Sequence, residues 1–162
     1  MKKRNTSDII KFLGILLLFL FVISCTNKKI FEQYHKFDNL SWNRFNYLKF
    51  EVPIENTAAG YDIFLTVRHL PDYPYPNLDI NFTIFIPSGE MRTADYSFEI
   101  KDKEGKMLSE CLGDYCDIKF SLRKGFRFSE PGIVKFEIEN KMTKLETPGI
   151  IEVGLIIEKS KE

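Results

Sequence analysis

Apolar and polar side chains alternate with a period of two along most of this chain. Tyr61 to His69 reads YDIFLTVRH: Ile63, Leu65 and Val67 fall on one face, and Asp62, Thr66 and Arg68 on the other with Phe64. Alternation of this kind predicts a strand buried on one side. The same pattern recurs in Asp79 to Ile86, through Ile80, Phe82, Ile84 and Ile86. It recurs again in Tyr96, Phe98 and Ile100, in Ile118, Phe120 and Leu122, in Val134, Phe136 and Ile138, and in Ile151, Val153, Leu155 and Ile157. Tyr47 to Glu55 carries Leu48, Phe50 and Val52 less regularly, which makes at least seven strands. Turn residues separate them: Asn56 to Gly60, Pro87-Ser88-Gly89, Lys103-Glu104-Gly105, Lys124-Gly125, Pro131-Gly132 and Pro148-Gly149. No segment sustains a helical period beyond a turn or two. Residues 140 to 147, with Met142 and Leu145 three apart, are the candidate for one short helix. Strands without intervening helices predict an all-β fold, an antiparallel sandwich of jelly-roll type, with a closed barrel as the alternative.

The first 24 residues follow a different rule. Lys2, Lys3, Arg4 and Lys11 form a basic start, and Phe12 to Ile23 then runs FLGILLLFLFVI without a charge. That run is too short to span a hydrocarbon core of about 30 Å as a helix, and it fits the apolar region of a secretory signal. Val22-Ile23-Ser24-Cys25 follows, resembling a bacterial lipobox: aliphatic residues, a small residue, and a cysteine to receive the lipid. The expected organisation is a lipoprotein signal peptide over 1–24, a lipidated tether and arm over 25–38, and a sandwich domain over 39–162. Lipid on Cys25 supplies a membrane anchor, each buried methylene contributing about 0.8 kcal/mol. Thr26, rather than Asp, follows the cysteine, which points to the outer membrane, on its periplasmic face.

Composition narrows the function. The chain has 23 basic and 23 acidic residues; removing the signal takes four bases and one acid, leaving a formal charge of −3. A mildly acidic chain has no basic excess for nucleic acid and no polybasic attraction to anionic lipid. A 44% apolar content excludes general disorder. Only His35 and His69 are present, which excludes a multi-histidine metal site. Asp114 and Asp117 are too sparse a ligand set for calcium. There is no glycine-rich phosphate loop and no Gly-x-Ser-x-Gly elbow. The expectation is a non-enzymatic protein with no catalytic residues, cofactor, metal or small-molecule substrate, although a nucleophile–base pair assembled in space leaves no local motif.

Three segments remain as candidates. Cys111 and Cys116 flank Leu112-Gly113-Asp114-Tyr115 in a protein exported to an oxidising compartment. They either close a disulfide or stay as two partly buried thiols. Arg68 to Leu78, RHLPDYPYPNL, holds three prolines that stiffen it toward polyproline II and two tyrosines between them. It is either a docking or sugar-stacking surface, with Arg68, Tyr73, Tyr75 and Asn77 as the contact residues, or a rigid crossover with its tyrosines packed inward. Phe31 to Phe37 is a second aromatic stretch, either an exposed ligand or a segment laid on the sheet.

These residues carry a resemblance. Cys25, Phe31-Glu32-Gln33-Tyr34-His35, the surroundings of Trp42, Tyr61-Asp62-Ile63-Phe64-Leu65, Arg68-His69 and Asp72-Tyr73-Pro74-Tyr75-Pro76-Asn77-Leu78 are similar to the pattern of the GldH family of gliding-motility lipoproteins of Bacteroidetes. Gly105-Lys106, Leu112-Gly113-Asp114 and the stretch from Gly149 to Lys159 extend the likeness over nearly the whole mature chain. The chain departs at Asp79 and Met107, where the family tends to carry tryptophan, and at Cys111 and Cys116, which are not cysteine in the usual pattern. The resemblance implies a non-enzymatic envelope lipoprotein needed for gliding, a binding or scaffold subunit docked on an envelope protein partner. A carbohydrate-binding module on a jelly-roll sandwich is the alternative; a solvent-facing, coplanar Tyr73–Tyr75 platform would favour it.

Overall fold

The computed structural model describes residues 29–161; the signal and Cys25 lie outside them. The described residues form eleven strands and no helix: β1 (Lys29–Lys36), β2 (Ser41–Asn43), β3 (Leu48–Ile54), β4 (Tyr61–His69), β5 (Asn77–Phe85), β6 (Met91–Glu99), β7 (Glu110–Leu112), β8 (Tyr115–Phe126), β9 (Gly132–Asn140), β10 (Glu146–Pro148) and β11 (Ile150–Lys159). They assemble into a five-stranded sheet of order β1-β11-β4-β8-β7, a four-stranded sheet of order β3-β9-β5-β6, and a short β10-β2 ribbon. Every strand pair is antiparallel. The all-β sandwich is therefore what the chain forms. It is not a closed barrel, because β1, β3 and β6 are left as sheet edges.

Alternation fixes which way each strand faces. In β4, Tyr61, Ile63, Leu65, Val67 and His69 are buried, and the residues between them are half-exposed. Leu48, Phe50, Val52 and Ile54 of β3 face them with Val134, Phe136 and Ile138 of β9. Aromatic pairs close both sides of the sandwich. Phe31 meets Phe50 edge-on at 6.3 Å on one side; on the other, Phe98 stacks on Phe120 at 4.3 Å and Tyr96 donates to Leu122 O.

Residues 31–37 are the segment laid on the sheet: β1 pairs along its length with β11, and Phe31, His35 and Phe37 point toward the core. One expectation is corrected. Residues 140–147 form no helix. The buried Asn140 amide donates to Trp42 O and to Thr147 Oγ1, each at 2.9 Å, while its own oxygen accepts from Met142 N. Lys141 N donates to Asp79 O, and the Met142 sulfur accepts from Asp79 N. These bonds tie the start of the segment to Trp42, Asp79 and Thr147, holding it as a loop instead of a helical turn.

The register also sets the two ends of the sandwich. Lys29 lies beside Glu158, and Lys159 beside Tyr61. This end, where the described chain begins, carries the 55–60 and 86–90 turns. Lys36, Ile150, His69 and Cys116 lie at the opposite end, together with the β10-β2 ribbon and the Cys111–Cys116 hairpin.

Candidate functional site

The outward face of the five-stranded sheet is a grid. The pairing puts Lys36, Glu152, Arg68, Asp117 and Glu110 in one row, from β1 across to β7. The next row holds Tyr34, Gly154, Thr66 and Lys119. A third holds Glu32, Ile156, Phe64 and Ser121. Gly154 and Thr66 are small residues at the centre, so the middle of the face is hollow. A cleft of about 560 Å³ opens there, lined by Tyr34, Thr66, Arg68, Asp117, Lys119 and Glu152 among others, with Leu108 at its rim.

The hollow depends on Gly154. A Cβ at this position would overlap the Tyr34 ring and the Thr66 hydroxyl, so the absence of a side chain lets the tyrosine lie down on the sheet. Tyr34 donates to Glu32, which also accepts from Lys29 Nζ at 2.6 Å. Burial, followed by the Glu32 hydrogen bond, pushes the Tyr34 phenol up to about 12. The hydrogen bonds from Lys29 and Tyr34 hold Glu32 below the usual carboxylate range. Thr66 Oγ1 is buried beside Gly154 and has no partner among the described residues. Buried hydroxyls seldom stay unpaired, and Thr66 Oγ1 is the exception among the described residues.

Arg68 dominates the charged row. Its Nε donates to Asp117 Oδ1 at 2.8 Å and its Nη2 to Oδ2 at 2.9 Å, the fork geometry that orients a guanidinium. The guanidinium also lies 4.3 Å from the centre of the Tyr115 ring. Lys36 approaches Glu152 at 3.8 Å, and Lys119 sits 3.8 Å above the Phe64 ring while pairing with Glu158 at 2.8 Å. These exposed pairs each contribute about 0.2–1 kcal/mol to stability. Their effect is to fix an ordered pattern of alternating charge beside the floor formed by Gly154 and Thr66.

The structure divides the four contact residues expected from Arg68 to Leu78. Arg68 faces the cleft. Tyr73 does not reach the surface: it is 0% exposed, 5.5 Å from the His69 ring, with its hydroxyl donating to Asn77 O at 3.2 Å. Its reading as an exposed contact is corrected, since the prolines turn this ring under the loop and against Gly149. Tyr75 is half-buried and packs edge-on to Tyr73, with 72° between the rings. No coplanar, solvent-facing tyrosine platform exists here. Asn77 is half-buried and spends its amide on Ser97 Oγ at 3.1 Å.

Two further features stand beside this segment, of which the His69 contact was not legible locally. His69 Nε2 lies 2.6 Å from Ser109 Oγ and Nδ1 lies 2.8 Å from Leu70 O. Burial lowers the imidazole pKa, leaving it neutral, so Nδ1–H donates to the carbonyl and Nε2 accepts from the serine. The ring is fully enclosed, and the pair pins the chain after β6 to the end of β4. The other is the hairpin beside the cleft. Cys111 and Cys116 are direct cross-strand partners and are joined by a disulfide. Gly113 has φ +63°, the sign required at the first position of a two-residue type II′ hairpin.

A family model described as GldH lipoprotein matches residues 29–157, nearly the whole described sandwich. The chain belongs to the GldH lipoprotein family. It is 28% identical over 154 residues to the gliding motility lipoprotein GldH homolog of Christiangramia forsetii, spanning 88% of this chain and 94% of that protein. It is 24% identical over 159 residues to the gliding motility lipoprotein GldH of Flavobacterium johnsoniae, spanning 92% of this chain and 97% of that protein. Among solved structures, a family GH115 4-O-methyl-α-glucuronidase with specificity for decorated arabinogalactans is similar at a TM-score of 0.45, with 10% identity over 85% of this chain and 18% of that one. TmCBM61 in complex with β-1,4-galactotriose is similar at 0.32, with 11% identity over 81% of this chain and 88% of that one. Within this GldH sandwich, the match begins at β1, the strand that supplies Tyr34 to the cleft.

Proposed function

We propose that this GldH-family chain is a non-enzymatic binding or scaffold subunit of the gliding machinery. It is anchored to the outer membrane through acyl chains on Cys25, on the periplasmic face, and holds an envelope protein in the Arg68 cleft. The observation that carries the reading is the grid around Gly154, a hollow floor bordered by a row of oriented charges. Such a surface steers and registers a partner more than it binds by bulk area. The relatives' name, gliding motility lipoprotein, supports the assignment to motility. The enclosed His69 supports a non-catalytic role, because both imidazole nitrogens are already occupied and no substrate can reach them.

The test is made in gliding cells deleted for this gene. The wild-type chain is expected to restore colony spreading. The Arg68→Ala/Asp117→Ala chain is expected to fail at normal abundance and with a melting temperature within a few degrees of wild type. Normal spreading by that variant overturns the cleft as the docking site. Cys25→Ser tests the anchor separately: the variant is expected to leave the membrane fraction, and correct processing with retention there overturns the lipoprotein attachment.

A further inference from the structure

The most exposed apolar side chains gather at one end of the sandwich. Leu112 is 75% exposed, Phe45 67% and Leu145 61%, and all three lie at the end opposite Lys29. Leu40 and Tyr47 add to them there. Phe45 and Leu145 are neighbours in the backbone, since Arg44 N donates to Leu145 O where the β10-β2 ribbon ends. The ribbon's inner side is spoken for by Trp42 and Thr147, which are fully buried. Leu40 opens the ribbon with φ +52°, a conformation that glycine and asparagine adopt readily and leucine rarely does. An apolar residue is thus held at a position whose backbone favours a small or polar one, with its side chain in solvent.

The chain's attachment says what this apex can meet. Four peptide steps separate Cys25 from Lys29, a reach of about 14 Å at most. β1 then runs its eight residues, about 26 Å, away from that point. The Phe45 end is therefore the end of the sandwich farther along β1 from the anchor. Ile30, Phe85, Met91 and Ile133, the exposed apolar residues near the tether, are the ones placed to meet the leaflet that holds the lipid. Charge narrows the occupant further. Glu146 accepts from Ser41 Oγ and Asn43 Nδ2, both at 2.8 Å. Arg44 and Lys144 make no ion pair among the described residues.

We infer that the Phe45–Leu145 apex is a second docking surface, distinct from the Arg68 cleft, for a protein presenting an apolar pocket bordered by carboxylates. The inference rests on the lipid anchor of the proposed function for its orientation. Two separated surfaces on a sandwich tethered at one end would let the chain bridge components at different heights above the membrane.

In-cell photocrosslinking of the full lipidated chain tests this, with a photoreactive phenylalanine analogue placed at 45, at 145 or at 91. The expected result is one discrete protein adduct from positions 45 and 145 and none of that mass from 91. Arg44→Glu/Lys144→Glu is expected to reduce that adduct at least tenfold, with the melting temperature unchanged. An adduct with lipid, with glycan or with a second copy of the chain overturns the inference. So does the absence of a protein adduct, or one indifferent to the charge reversal. Membrane fractionation of Cys25→Ser reads the anchor alone, so its failure is distinguished from failure of the apex.

Discussion

Replacing Tyr73 with alanine decides whether the proline-rich segment is a lid or a binding surface. The ring is fully buried between His69, Tyr75 and the Gly149 backbone. Truncating a buried aromatic to alanine costs about 3–5 kcal/mol, from lost transfer energy and the cavity left behind. An unfolding entropy of about 2.1 cal/mol/K per residue over the sandwich makes each kcal/mol worth about 3–4 °C. Tyr73→Ala is therefore expected to lower the melting temperature by about 10–18 °C. Tyr73→Phe removes only the hydroxyl that donates to Asn77 O, which costs about 0.5–1.5 kcal/mol and a few degrees. Tyr75→Ala, at a half-buried position, is expected to fall between the two. Calorimetry or thermal circular dichroism on the three variants reads this order directly. If Tyr73→Ala melts within about 3 °C of wild type yet cannot support spreading, the ring is not a packing element and the burial argument fails.

Three further outcomes follow from the same geometry. Thr66→Val removes a buried hydroxyl without a partner, so thermal melting should stay level or rise by up to about 1–2 kcal/mol equivalent; a comparable loss would show that the hydroxyl is bound. His69 has its pKa lowered by burial, so the unfolded chain binds its proton first. The stability this gives is fully present above the unfolded value of about 6.5 and is lost as pH falls through that value toward the folded one. The gap in unfolding free energy between wild type and His69→Gln should accordingly narrow from pH 7 to pH 5, and a constant gap would refute the assignment. Reducing the Cys111–Cys116 bond opens only a short hairpin loop, so urea titration should show a loss of about 2 kcal/mol or less, and a collapse of the whole sandwich would contradict this.

The strands with strict alternation were legible because a half-buried sheet imposes its period on the sequence. Tyr61 to His69 is β4 residue for residue, and the runs around Phe50, Phe82, Phe120, Phe136 and Leu155 all lie in strands. β2, β7 and β10 carry too few residues to show a period. β1 hid for another reason: as an edge strand it buries little, so its apolar positions do not repeat cleanly. The helix expected at 140–147 failed because Asp79 and Trp42, distant in sequence, meet that segment's polar groups, and the Asn140 side chain bonds Met142 and Thr147 within it.

Sequence by itself determined the all-β class and the family, and it set the export signal and the lipid-accepting cysteine as expectations, since each is written in local order or period. It also singled out Arg68 and the paired cysteines. Only the tertiary structure decided that Arg68 belongs with Tyr34, Gly154 and Asp117, and that Tyr73, five residues along, belongs to the core. The reason is that a cleft on a sheet is made across strands. Its residues are neighbours through hydrogen-bonded register, and register is set by the packing of both sheets together rather than by any one stretch of chain.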